Sequence, residues 1–268
     1  MFGGSLRVGT VCGVPVRLHL TLPIVFVLLV ARFGIQGIPV GLLLYGSVLL
    51  HELGHAMMAR SFGIPTAAID LHLLGGMALM TQPAQSPSQE ARVAVAGPAV
   101  SGLLGTLLAV LAWVSGARLE FGAPRWVDLW AFGAAINLGM AIFNLVPALP
   151  MDGGRIFRAF LSERRGHLAA TRIAAAVSRA FAIAFVAIGL VLGVWSLALV
   201  GFMLFFLVGY EQMAAQAAAR RSTDWMRLDP RFSAHGLPME VQSGGLESRE
   251  EYVDRLGRRY VVVTRIEP

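Results

Sequence analysis

The sequence predicts an all-α polytopic membrane protein: about six transmembrane helices, a small membrane-associated β-hairpin region and a short soluble C-terminal tail. Three observations predict it. Of 268 residues, 56% are hydrophobic and only 14% charged, against roughly 25% charge in soluble domains. Mean hydropathy is +0.67. Uncharged blocks recur at lengths near the ~20 residues a helix needs to cross a ~30 Å hydrocarbon core.

In chain order, residues 1–17 form a Gly-rich, basic lead-in with some strand character. The first span is expected at 18–33 and is short, so tilt or local thinning accompanies it. A turn at 34–39 leads to a second helix over 38–61. Ile64 to Met80 mixes β-branched and small residues around Leu74-Gly75-Gly76-Met77, and Gly-Gly between apolar runs reads as a hairpin turn. Gln82 to Gln89 is a polar loop. Val93 to Ala117 carries no charge and makes the third span, over 93–117. The fourth, over 129–147, is broken by Pro147 and Pro150, and Asp152-Gly-Gly-Arg155 opens a short Arg-rich amphipathic helix. Spans five and six are expected over 168–193 and 195–213. These divide the chain into a membrane core, 1–215, and a tail, 216–268, whose Tyr252 to Ile266 alternates about Leu256-Gly257-Arg258 as a hairpin would.

The loop arginines orient the spans. With the N-terminus inside, Arg7, Arg17, Arg60, Arg92, five arginines between Arg155 and Arg172 and the tail face the cytoplasm, leaving Arg32, Arg118 and Arg125 outside. The positive-inside rule therefore places both termini in the cytoplasm, and the expected location is the cell membrane of a bacterium or archaeon. The +6 net charge and pI near 10.6 do not indicate nucleic acid, because the arginines are scattered among apolar blocks. Cys12 is the only cysteine, which excludes an intrachain disulfide and a thiolate metal site.

Within the second span stands His51-Glu52-Leu-Gly-His55. Residues four apart share a helix face, so both imidazoles can reach one metal ion, and Glu52 can reach a water beside it. A catalytic zinc keeps three protein ligands and an open position. Asp152 is the best third ligand, an acid ending a span at matching depth, freed from regular helix by its neighbouring prolines and glycines. Ionisable groups at that depth are costly and functional by default. Glu52 is then the general base. Asn144 could donate to an oxyanion or hold the substrate backbone.

His51-Glu-Leu-Gly-His55 together with Asn144-Leu-Val-Pro147-Ala-Leu-Pro150-Met-Asp152-Gly closely resembles the site-2 protease family of intramembrane zinc metalloproteases. Ala96-Gly-Pro98 is similar to another core sequence of that family. The resemblance covers roughly residues 10–215. It implies one Zn2+ per chain held by His51, His55 and Asp152, Glu52 as catalytic base, and Asn144 in the active site. It also implies that the Gly75-Gly76 region binds an unwound transmembrane protein substrate as an added strand, within the lipid bilayer and without nucleic acid. Such an enzyme cuts single-pass membrane proteins, in regulated intramembrane proteolysis or clearance of signal-peptide remnants. The chain departs from many members in having room for neither a PDZ domain between the two motifs nor CBS modules in its tail. Met151 stands where leucine is commoner.

Other readings remain open at this level. A different membrane H-E-x-x-H peptidase would take its third ligand from a later glutamate, but Glu163 and Glu211 lack the surrounding helix motif. A metal-binding membrane transporter would spread acids and histidines along a path. A catalytically silent scaffold would have no use for Glu52.

Overall fold

The computed structural model describes residues 4–119, 125–228, 246–253 and 259–266. It resolves into two compact units, one formed by Met1–Ala84 with Ser88–Phe157, the other by Gln85–Pro87 with Arg158–Pro268.

The first unit opens with a hairpin, β1 (Ser5–Val11) and β2 (Val14–His19), whose two-residue turn places Cys12 at φ 50° and Gly13 at φ 82°. Both positive values belong to the primed turn that matches strand twist. After α1 (Leu22–Phe33) and α2 (Gly37–Ser61), β3 (Thr66–His72) returns to lie parallel to β2, pairing Val16 with Ile69 and Leu18 with Leu71. Antiparallel β4 (Gly75–Met80) completes a four-stranded sheet in the order β1-β2-β3-β4 and forms one of its edges, with no further strand paired to it among the described residues. The sheet is thus larger than the expected hairpin. The lead-in supplies half of it, a pairing between segments some fifty residues apart that local patterning does not reveal.

The expected Gly75-Gly76 turn is corrected as well. Leu73 and Leu74 make the turn, while Gly75 and Gly76 begin β4. The glycine is needed for approach rather than for turning. A Cβ at Gly76 would lie 2.7 Å from Glu52 Cγ and 2.8 Å from Val48 Cγ1. Val14, Val16, Ile69 and Leu71 of the sheet pack with Leu22, Tyr45, Val48 and Ala56 into one core cluster, so the strands are seated directly on α2.

Three helices complete this unit's frame. α3 runs from Pro87 to Ser115, α4 from Leu129 to Asn144, and α5 from Asp152 to Arg165, its last turns belonging to the second unit. α3 starts six residues before the expected span because Ser86-Pro87-Ser88-Gln89 carries a helix-start signature, with proline at the first helical position. Polarity is inverted relative to a soluble protein. Ser47, His51, His55, Ser101, Asn137 and Asp152 are buried, whereas Leu103 and Trp113 are 76% and 81% exposed. Only a lipid surround makes that distribution favourable.

In the second unit, α6 (His167–Val191) and α7 (Trp195–Leu228) form an antiparallel pair, with Gly189 against Ala198 and Gly201 against Ala182. α7 continues well past the expected end near 213, because Met213-Ala-Ala-Gln-Ala-Ala-Ala-Arg-Arg is built from strong helix formers. β5 (Leu246–Val253) and β6 (Arg259–Ile266) pair as an antiparallel hairpin; the Leu256-Gly257-Arg258 turn lies outside the described residues.

Among the described residues, four helical stretches are long and apolar enough to cross a membrane: Leu22–Ser61, Pro87–Ser115, Trp126–Asn144 and His167–Val191. The first joins α1 and α2 through a 3-10 turn at Gly34–Gln36. Trp195–Gly209 is a shorter apolar helix.

Candidate metal centre

α2 presents His51 and His55 one turn apart, their Nε2 atoms 3.1 Å from each other. Asp152 Oδ2 closes the triangle, 3.3 Å from His51 Nε2 and 3.2 Å from His55 Nε2. All three side chains are buried, and Arg155 Nη1 stands 3.9 Å from the other oxygen, Asp152 Oδ1. The Asp-Gly-Gly sequence sets this position by close packing: a Cβ at Gly153 or Gly154 would strike the backbone of the preceding loop, at Leu145 and Ala148 respectively. The first turn of α5 is thereby pressed against that loop.

The other ring nitrogens are held by α3. His55 Nδ1 donates to the Val93 carbonyl at 2.7 Å, which fixes the tautomer with a lone pair on Nε2. His51 Nδ1 meets Ser101 Oγ at 2.9 Å; with a metal on Nε2, Nδ1 carries the proton and donates. Between these two contacts lies Gly97. A Cβ there would come 2.6 Å from His51 Nε2 and still closer to His55 Nε2, so only hydrogen leaves the mouth of the triangle open.

The donor set fits zinc. Ligands about 2.0–2.1 Å from a tetrahedral ion stand ~3.3–3.4 Å apart, close to the observed edges, and two imidazoles with one carboxylate are a catalytic zinc set. Among the described residues this is the group of three such side chains able to share one metal.

Glu52, next in sequence to His51, turns toward the sheet, and its Oε2 accepts from the Ala78 N–H at 2.8 Å. Gly76 lies against the same side chain, while Gly75, at φ 130°, has open space where a Cβ would project. Asn144 is placed differently: its amide donates to Met140 O at 3.0 Å, within its own helix. The asparagine of α4 that reaches α2 is Asn137, fully buried and donating to Ser47 Oγ at 2.8 Å, one turn before His51. Among the described residues its Oδ1 has no hydrogen-bond partner.

Sequence reasoning thus named all three members of the triangle and Glu52. It missed Ser101, Asn137, the Val93 carbonyl and the part played by Gly97. The four-residue spacing of Gly97 and Ser101 on an uncharged helix was the available signal, though small residues at that spacing serve helix packing as readily.

Fold and site together define a polytopic membrane protein with a preassembled His-Glu-x-x-His metal centre. Peptidase family M50 matches residues 40–125 and 121–188, and the chain belongs to that family. A zinc metalloprotease of Methanocaldococcus jannaschii is 35% identical over 214 residues, 78% of this chain and 60% of that protein. A candidate zinc metalloprotease of Synechocystis sp. is 31% identical over 269 residues, 92% of this chain and 68% of that protein. The chain therefore spans about three-fifths to two-thirds of the length of these relatives. The solved site-2 protease from Methanocaldococcus jannaschii aligns with a TM-score of 0.57 at 33% identity, covering 78% of this chain and 95% of that one.

Proposed function

We propose that the chain is an intramembrane zinc metalloendopeptidase that hydrolyses peptide bonds within or near the transmembrane segment of single-pass membrane proteins. The observation that carries this reading is the buried His51, His55 and Asp152 triangle with Glu52 on the same helical turn and the free edge of β4 against it. The family relationship supports it.

His51, His55 and Asp152 would hold the ion, which when bound supplies Lewis acidity toward a scissile carbonyl and a water acidic enough to attack near neutral pH. Glu52 takes the proton from the attacking water on a carboxylate oxygen and passes it to the departing amine nitrogen. Ser101 and the Val93 carbonyl keep both imidazoles in the orientation that points Nε2 inward. The Asn144 amide, once turned from Met140 O, would donate to the substrate carbonyl or its flanking backbone.

A transmembrane helix hides its peptide bonds, so the substrate must be extended where it is cut. β4 offers the replacement hydrogen bonds, with Gly75 and Gly76 leaving its backbone uncovered. We read α1 to α4, α6 and the first part of α7 as six membrane segments, with both termini in the cytoplasm, in accord with the loop arginines.

The test is co-expression of a single-pass reporter with the wild type or with Glu52→Gln. Cleavage by the wild type and none by a variant that keeps its zinc is expected. Equal cleavage by both would overturn the assignment of Glu52, and zinc binding without cleavage by either would favour a transporter or scaffold.

A further inference from the structure

We infer that the backbone N–H of Ala78 is a positioning group for Glu52 that an incoming substrate strand must take over. The inference rests on the reading of Glu52 as base and β4 as the strand-adding edge. β4 is last in the sheet order, and its register pairs Leu71 with Gly76, Asp70 with Met77 and Ile69 with Ala78. In an antiparallel ladder, alternate residues turn their backbone groups toward the partner strand and away from it. The Ala78 N–H goes to Glu52 Oε2 at 2.8 Å, so Ala78 faces the free edge, and Gly76 shares its parity. These outward groups are the ones an added strand uses.

The consequence is competition for one donor. A substrate carbonyl that pairs with Ala78 displaces the Glu52 carboxylate, which sits one residue from His51. β4 also rests directly on the α2 turn that carries Glu52, close enough that a Cβ at Gly76 would lie 2.7 Å from Glu52 Cγ. Seating a strand and releasing the base are therefore one event, and an empty edge keeps the carboxylate tethered to the sheet.

Two inactive variants separate the terms without any turnover. Glu52→Gln keeps an oxygen able to accept from Ala78, and Glu52→Ala removes it. Both are compared zinc-loaded, by amide hydrogen exchange at Ala78 and by titration with a capped hexapeptide of alternating valine and alanine. A hydrogen bond of ordinary strength corresponds to about a three- to tenfold effect. Ala78 exchange is expected to be faster by that factor in Glu52→Ala, the peptide to bind more tightly to Glu52→Ala by a similar factor, and bound peptide to restore Ala78 protection. Equal exchange in the two variants, equal or weaker peptide affinity in Glu52→Ala, or no peptide binding to either would overturn the inference. Failure of the wild type to cut the reporter would sink the protease reading but leave these binding results to stand separately.

Discussion

Gly97 on α3 lies against His55 on α2 so closely that a Cβ at 97 would collide with His55 Nε2. Alanine is a better helix former than glycine by about 1 kcal/mol, but the atoms it would strike are ring atoms of two buried histidines held at Nδ1 by Ser101 and the Val93 carbonyl. Gly97→Ala is therefore expected to weaken zinc binding at least ~100-fold, by analogy with disrupted ligand geometry. Folding stability should fall by no more than the about 1–3 kcal/mol of an overpacked site, partly offset by alanine's helix propensity. Metal titration alongside thermal unfolding checks both halves.

Ser101→Ala removes the partner of His51 Nδ1 while leaving His51, His55 and Asp152 in place. A lost outer partner of a ligating histidine typically costs about 10–100-fold in metal affinity. A competition titration with a zinc chelator should show a loss in that range; unchanged affinity would mean that the Ser101 contact does not orient the ring.

Gly76→Val addresses the sheet rather than the metal. The added side chain must part β4 from Glu52 and Val48, an overpacking cost of about 1–3 kcal/mol. Reporter cleavage should fall sharply with zinc stoichiometry unchanged, since the triangle is formed by α2 and α5 alone. Loss of zinc together with cleavage would show that the strand and the metal site are not separable.

His72 provides a pH dependence outside the helices. Burial pushes its imidazole below the ordinary 6.5, with the neighbouring His19 adding to the effect. Its Nδ1 accepts from the Leu74 N–H at 3.2 Å, a bond that the neutral ring alone can make. Because the folded-state value is depressed, the unfolded chain binds the proton more readily, and stability falls as pH drops through 6.5 toward that lower value. The protection factor of the Leu74 amide, taken relative to its pH-dependent intrinsic exchange rate, should fall over that window in the wild type, and His72→Asn should flatten the profile.

What could be read from the sequence followed from chemistry that leaves local marks. His51, Glu52 and His55 share one helical turn, and Asp152 stands out as an acid after an uncharged span, so spacing and cost together pointed to them. The apolar helices were legible from long uncharged blocks, but the start of α3 and the end of α7 were not, because a polar cap and a run of helix-forming residues set them. The pairing of β2 with β3 was not, because it depends on where a fifty-residue excursion returns. Gly76 was misread as a turn residue because composition cannot distinguish a glycine needed for its backbone angle from one needed for the closeness of Glu52. Ser101 and Asn137 look like ordinary small or polar residues of a membrane helix until α3 and α4 are packed on α2.

The central claim is that His51, His55 and Asp152 hold one zinc ion together. Zinc-edge X-ray absorption on the purified chain, paired with Asp152→Ala, tests it most directly. The wild type should show a shell of two imidazoles plus light oxygen donors at one zinc per chain, and Asp152→Ala should lose zinc affinity with the carboxylate contribution gone. An identical shell and undiminished affinity in Asp152→Ala would contradict the account.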